Sequence, residues 1–259
     1  MKEAFKSHPD ISIVFTTHCE TSTGVLQDVK TMSRVAHDNG ALIVVDGITS
    51  LGAQVVETDA WHLDVVIGGS QKGFMMPPGL ATLSVSDAAH ERMERNDHPV
   101  YYFDLRRALR SYETDDTPWT PAMTLVIALN EALKMIREEG LEDVIRRHTR
   151  NAKAVRLAAK ALGLELFASI PANATTAVVP PEGTAGDIRA HLDNVYGVKV
   201  AGGQAELKGK IIRLGHLGYY HETDMYTMIA ALEATLYDLR LSKTMGRGLE
   251  ALLHQFRDE

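Results

Sequence analysis

The sequence predicts an α/β protein, with a partial large domain built on a mainly parallel sheet and a small α+β domain after it. Three observations carry this. Short, nearly continuous apolar runs recur through the first half, separated by helical stretches, as in sheets covered on both faces. Beyond Gly140 the pattern changes to long amphipathic segments mixed with short strands. The 259 residues, 45% hydrophobic and 24% charged, suffice for a real core. The expected division is 1–139 for the large domain and 140–259 for the small one.

Ile11 to Thr17 (ISIVFTT) is a β-branched run and reads as a buried strand. Asp28 to Asn39 is a helix closed by Asn39-Gly40. Ala41 to Val45 is a second strand, ending on Asp46, and Leu63 to Ile67 a third, ending in Gly68-Gly69-Ser70-Gln71-Lys72. Pro77-Pro78-Gly79 breaks the chain before a fourth, Leu80 to Val85. Helices are expected over Met123–Glu138 and Leu141–Leu162. In the latter, Leu141, Val144, Ile145, Val155, Ala159 and Leu162 share a face. Thr175–Val179, Val198–Val200 and Ile211–Leu214 read as short strands. A last helix carries Met225, Met228, Ile229, Leu232, Leu236 and Leu239 on one stripe. The tail from Ser242 is polar, with a short helical piece at most.

Composition excludes several functions. Lys and Arg number 27 against 34 Asp and Glu, a net charge of -7 without a basic run, which argues against gripping nucleic acid. Cys19 is the single cysteine, so neither an internal disulfide nor a cysteine-based metal centre is expected; it reads as a small buried hydrophobe beside a strand end. The start, MKEAFKSHPD, lacks an apolar signal core, and no run reaches membrane-spanning length. A reduced, cytoplasmic, soluble protein is expected.

Standard nucleotide and hydrolase motifs fail. Lys72 precedes Gly73, the reverse of the Walker order, and neither G-x-G-x-x-G after a strand nor G-x-S-x-G occurs. His216 and His221 have no carboxylate or cysteine framework, so no metal site is expected. What remains is placement. Thr16 to Thr23, Asp46 and Ser70-Gln71-Lys72 each follow an apolar strand, and ligands of α/β sheets collect beyond the carboxyl ends of strands. A lysine and a carboxylate sharing that crevice suit pyridoxal phosphate, which needs an amine for its aldehyde and an acid for its pyridine nitrogen. Taken singly, Asp46 reads as a helix cap or turn residue and Lys72 as a solvated loop residue. Together, between Ser70-Gln71 and Pro77-Pro78-Gly79, they are more specific.

THCETSTGVLQDV, LIVVDGITSLGA, GGSQKGFMMPPGLA, TPWTPAMT and IIRLGHLG, in that order, resemble the fold-type I, class V aminotransferases that depend on pyridoxal 5'-phosphate. The alanine–glyoxylate and serine–glyoxylate (serine–pyruvate) branch is the nearest. The resemblance covers about Ser12 to Leu241. It implies that Lys72 is the Schiff-base lysine and that Asp46 pairs with the pyridine nitrogen. Ile48 would pack on the ring, Thr21 would bond near the phenolic oxygen, and Gln71 would hold the phosphate. Thr120 would reach the phosphate of a neighbouring subunit in a homodimer, and Arg213 would clamp the substrate carboxylate. For Arg213 the residues alone also allow a surface or interface salt bridge. His216 matches a position without chemistry, so packing is expected.

The resemblance also implies a missing part. Members of the branch exceed three hundred residues, and their N-terminal third supplies a glycine-bearing phosphate loop, a stacking aromatic and much of the dimer surface. Thr117 stands where relatives carry a tyrosine. A sheet without those neighbours should leave an unpaired edge and uncovered apolar surface. The expected activity is amino transfer from an alanine- or serine-type amino acid to glyoxylate or a similar 2-oxo acid. The alternatives are a silent truncated fragment and one half of a split enzyme, associating with a missing N-terminal half. A cysteine desulfurase is disfavoured, because Cys19 lies far upstream of Lys72.

Overall fold

Apolar alternation and end caps decide most elements of the computed structural model, which describes residues 1–258. In chain order these are α1 (Lys2–Ser7), β1 (Ile13–Thr17), β2 (Cys19–Glu20), β3 (Val25–Leu26), α2 (Val29–His37), β4 (Leu42–Asp46), β5 (Val65–Gly69), β6 (Ala81–Val85), α3 (Asp87–Glu94) and α4 (Leu105–Tyr112). There follow α5 (Met123–Glu139), α6 (Leu141–Ala161), β7 (Glu165–Leu166), β8 (Thr175–Val179), α7 (Ala185–Tyr196), β9 (Ala201–Gly202), β10 (Ile212–Gly215), α8 (Glu222–Asp238) and α9 (Arg247–Asp258). No described helix is long and apolar enough to cross a membrane.

The residues form two units. The first comprises Met1–His18, Asp28–Ile48 and Glu57–Met135. The second comprises Cys19–Gln27, Thr49–Val56 and the chain from Ile136 onward.

The first unit is built on a four-stranded sheet, β1-β4-β5-β6, in which the first three strands are parallel and β6 is antiparallel. The sequence shows the strands but not that reversal. Asp28 caps α2 by accepting the Thr31 amide hydrogen at 3.0 Å, and α2 packs on β4 and β1. Under it Ile43, Val45 and Val66 are buried. The buried Asp64 carboxylate ties the layers, accepting the Ile43 N–H at 2.8 Å and the Ser86 hydroxyl at 2.9 Å, with His37 Nε2 also at 2.8 Å.

The other face departs from the expectation of a sheet covered on both sides. Phe15 is 75% exposed, and Ile13 and Leu83 are exposed too. Registered partners lie on one face, so Phe15 shares a row with Val44 and Val65, and Asp46 shares the next with Thr17, Ile67 and Leu83. β1 is the parallel edge of this sheet.

The second unit is an antiparallel sheet, β7-β8-β10-β9, covered by helices. Val178, Ile188, Leu192, Ile212, Leu214, Ile229 and Leu232 form one fully buried core. Met225, Met228, Leu232 and Leu236 bury the stripe expected of α8. On α6, Val144, Val155 and Ala159 are buried, but Leu141 in the first turn is exposed. Two expectations need correction. The strand predicted over Val198–Val200 falls at Ala201–Gly202, where β10 supplies pairing partners. The tail holds a twelve-residue helix, α9, whose Leu252 and Phe256 join the core. Its N-terminus is received by the buried Glu233 carboxylate, which accepts the Gly248 and Leu249 amide hydrogens at 3.2 and 3.4 Å.

The hairpin of β2 and β3 belongs to this unit and lies against β8. Gly24 at its turn has φ +70, and a Cβ there would stand 2.8 Å from the Thr175 carbonyl oxygen. Glycine is required both for the left-handed backbone and for the close approach.

Candidate active site

In the first unit, β4 and β5 run parallel and in register, Asp46 opposite Ile67, so their carboxyl tips share one edge. The tip of β4 is fixed from both sides. His18 N–H donates to the Asp46 carbonyl at 2.9 Å, and Gly47 N–H donates to Ile67 at 2.9 Å. The Asp46 carboxylate is oriented by the Ile48 N–H, which donates to Oδ1 at 2.9 Å.

Lys72 lies in the turn just beyond β5 and is half-buried. Its loop is closed by the buried Ser70. The Ser70 hydroxyl donates to the Pro77 carbonyl at 2.7 Å and accepts the Leu80 N–H at 3.2 Å, while its carbonyl accepts the Met76 N–H at 3.1 Å. A Cβ on Gly69 would meet Ile48 Cγ2 at 3.0 Å and Gln71 Oε1 at 3.2 Å, so the bare glycine lets both side chains close over the tip. Asp46, Ile48, Gln71 and Lys72 are therefore gathered at one edge. Thr120 is exposed, ahead of α5 in the same unit. The clasp role of Ser70 went unread; its only signal is a serine between a strand and a Pro-Pro-Gly turn.

The other expected residues lie in the second unit. Arg213 on β10 donates from Nε to the Gly202 carbonyl at 2.9 Å and from Nη1 to the Thr21 carbonyl at 2.8 Å. The Thr21 and Thr49 hydroxyls share a hydrogen bond. Burial holds the Arg213 guanidinium below the usual arginine range, while Glu20 opposes that shift. Glu20 is itself engaged by the Ser22 N–H at 2.8 Å and hydroxyl at 2.6 Å, which hold its carboxyl below the usual range. The salt bridge that the residues alone allowed for Arg213 does not form among the described residues. A guanidinium held by carbonyls rather than by a carboxylate keeps its charge for an incoming anion.

Three buried histidines are structural. His216 is fully buried; its Nδ1–H donates to the Asn173 carbonyl at 2.8 Å, leaving Nε2 to accept the Thr176 hydroxyl at 2.9 Å. Burial takes its pKa to about 3. His148 accepts the Gly218 N–H at 2.9 Å, and burial lowers its pKa as well. His18 packs edge-on against Trp61, and burial takes its pKa to about 4. His221 is the N-cap of α8.

Two parallel strands thus present a carboxylate and a lysine-bearing loop at one edge, with an apolar side chain and an amide beside them, a donor set compatible with pyridoxal phosphate. The comparisons agree. Residues 2–218 match the model of the aminotransferase class-V family, and the chain belongs to that family. Among curated relatives it is 45% identical to the soluble hydrogenase small subunit of Synechococcus sp. strain PCC 6716, over 92% of this chain and 63% of the relative. It is 37% identical to the L-aspartate–glyoxylate aminotransferase of Paracoccus denitrificans, over 98% of this chain and 65% of the relative. The solved ureidoglycine–glyoxylate aminotransferase of Bacillus subtilis superposes with a TM-score of 0.91 at 31% identity, over 99% of this chain and 68% of the other. The fold is that of the fold-type I aminotransferases. The chain spans less than two thirds of the first relatives' length.

Proposed function

We propose that this chain carries the lysine, acid and carboxylate clamp of a pyridoxal-phosphate-dependent aminotransferase, moving an amino group from a small α-amino acid to glyoxylate or a similar 2-oxo acid. The observation that carries this is the common edge of β4 and β5, with Asp46 at one tip and the Lys72 loop beyond the other. The division into a cofactor-binding part, 1–139, and a small domain, 140–259, belongs to the same reading, as does a cytoplasmic location.

When bound, the cofactor's pyridine ring serves as an electron sink for the substrate's α-carbon. Lys72 is the residue to which its aldehyde would be linked, and the amine that carries the α-proton once freed. Asp46, oriented by the Ile48 amide, is the acid that would keep the ring nitrogen protonated. The Ile48 side chain would pack against the ring, Thr21 would bond near the phenolic oxygen, and Gln71 and Thr120 would hold the phosphate, Thr120 from a second subunit. Arg213 receives the substrate α-carboxylate. Alanine- and serine-type donors come from the resemblance.

Two exposed surfaces support dependence on other polypeptide. Tyr101 (77% exposed), Tyr102 and Phe103 form an aromatic surface with Trp119, one residue before Thr120. It suits a homodimer that donates Thr120 across the interface. The open face of the first sheet suits a segment equivalent to the third of the relatives that this chain does not match.

The hydrogenase name of one relative finds no counterpart here, since one cysteine cannot supply a thiolate-bound cluster. Two cysteine desulfurase structures share the fold at 19% and 18% identity, but Cys19 is buried and precedes the lysine.

The test is borohydride trapping with pyridoxal phosphate, followed by peptide mapping, with the third of a relative that this chain does not match supplied. An adduct at Lys72 that is lost in Lys72→Ala is expected. An adduct elsewhere, or none, removes the proposal and leaves the silent fragment as the reading.

A further inference from the structure

We infer that a cleft in the second unit, between the C-terminal half of α6 and the chain that returns through β7 to Pro171, binds a phosphomonoester with an apolar body, its phosphoryl group held by Arg156 and Lys160. The inference concerns this unit alone and does not depend on the amino-transfer reading.

A helix end makes the cleft. Gly163, with φ +79, closes α6 in a left-handed turn. Its N–H donates to the Lys160 carbonyl at 2.9 Å, and the Leu164 N–H donates to the Ala159 carbonyl at 3.0 Å, the paired bonds of a glycine-terminated helix. Those bonds also occupy two of the carbonyls that would otherwise repel an anion at this end. The chain doubles back through β7, which packs on α6 and pairs with β8. The space left is about 760 Å³, within the range of small-molecule sites. Lys153, Arg156, Leu157 and Lys160 line one wall. Their i, i+3, i+4, i+7 spacing puts them on one helix face, where residues three or four apart have Cβ atoms about 5–6 Å from each other. Leu166 and Pro171 add apolar wall, and Ser169 a hydroxyl.

Arg156 separates this cleft from an ordinary solvated helix face. Arg147 and Arg150, earlier on α6, are partly buried against carboxylates, those of Glu139 and Glu222. Arg156 is partly buried without one. Burial holds its guanidinium below the usual arginine range, and no acid opposes that shift. Its hydrogen bond among the described residues is donated by Nη1 to the Ala172 carbonyl at 3.1 Å, which anchors the group and leaves its other hydrogens for a ligand. A cation drawn from water without a partner is costly, and an anion in the cleft supplies the missing charge. Lys160, one turn further on, is exposed and forms no ion pair among the described residues. Glu165 is the single acid on the lining. A planar fork beside an ammonium suits a doubly charged phosphoryl group with three acceptor oxygens. Inorganic phosphate would leave Leu157, Leu166 and Pro171 wet, whereas an apolar body covers them.

Phenyl phosphate, inorganic phosphate and benzoate test this on the full chain without pyridoxal phosphate. Binding is read by calorimetry and by the backbone amide signals of α6 together with the Arg156 Nε–H. Phenyl phosphate should bind roughly tenfold more tightly than either of the others, since benzoate lacks one charge and inorganic phosphate lacks the apolar body. Lys160→Gln, at an exposed side chain, should weaken phenyl phosphate roughly tenfold, and Arg156→Lys, which keeps the charge without the fork, should weaken it less. Leu157→Ser should bring phenyl phosphate toward the level of inorganic phosphate. Absence of binding, equal binding of all three probes, or an affinity unchanged in Lys160→Gln would overturn the inference. So would signals that move at Gln71–Gly73 rather than on α6; the probe would then occupy the proposed cofactor site, and the amino-transfer reading would stand.

Discussion

In the first unit Phe15 stands three-quarters exposed in the middle of β1, whereas in the second unit Ile212 and Leu214 on β10 have no exposed surface at all. Both sheets have four strands, yet only the second is sealed by its own helices. The chemistry and the cover are thus divided. Asp46 and Lys72 sit on the sheet with an open face, while Arg213 extends from the sheet with a complete core. The second unit closes its own core, while the first presents Asp46 and the Lys72 loop and leaves apolar surface exposed.

Acid should sharpen this contrast most. His148 and His216 lie in the second unit and His18 in the first, and burial depresses all three pKa values. The unfolded chain then binds protons that the folded chain refuses. Stability is full above the unfolded value of 6.5 and is lost as pH falls, toward about 4 for His18 and about 3 for His216. Each group contributes a slope of up to about 1.4 kcal/mol per pH unit within its window. Hydrogen exchange between pH 7 and 4 should show the second unit losing protection more steeply, and parallel losses would break the comparison.

Leu232→Ala removes a fully buried side chain from the second core and should cost about 2–5 kcal/mol in a denaturant titration. Glu233→Ala strips the N-terminus of α9 of its buried acceptor and should cost about 1–3 kcal/mol, with exchange faster at Gly248 and Leu249 than elsewhere. Phe15→Ser should change stability by only about 0.5 kcal/mol, because the ring is already exposed, and should reduce self-association seen by light scattering. A large loss there would mean that this face is covered in solution by this chain itself.

The residues read correctly from sequence are those whose signal is local. β1, β4 and β5 stand within two residues of the expected runs, and α5, α6 and α8 form where helices were expected. The positions of Asp46, at the end of β4, and Lys72, in the turn beyond β5, were legible because each lies at a strand tip. What escaped depends on partners distant in the chain. The antiparallel setting of β6 is a matter of which strand it meets, and the hairpin at Cys19–Leu26 joins the second unit through distant partners, Gly24 against Thr175 among them. α9 looks polar in sequence because a single narrow face, with Leu252 and Phe256, is buried.

Alone, the sequence determined the strand tips, the acid and lysine they carry, and the family, since periodicity and turn chemistry are written in consecutive residues. Tertiary structure alone decided that one sheet face stays open and that Ser70 clasps the lysine loop. Those outcomes rest on burial and hydrogen bonds between residues far apart in the chain, which no short window of sequence records.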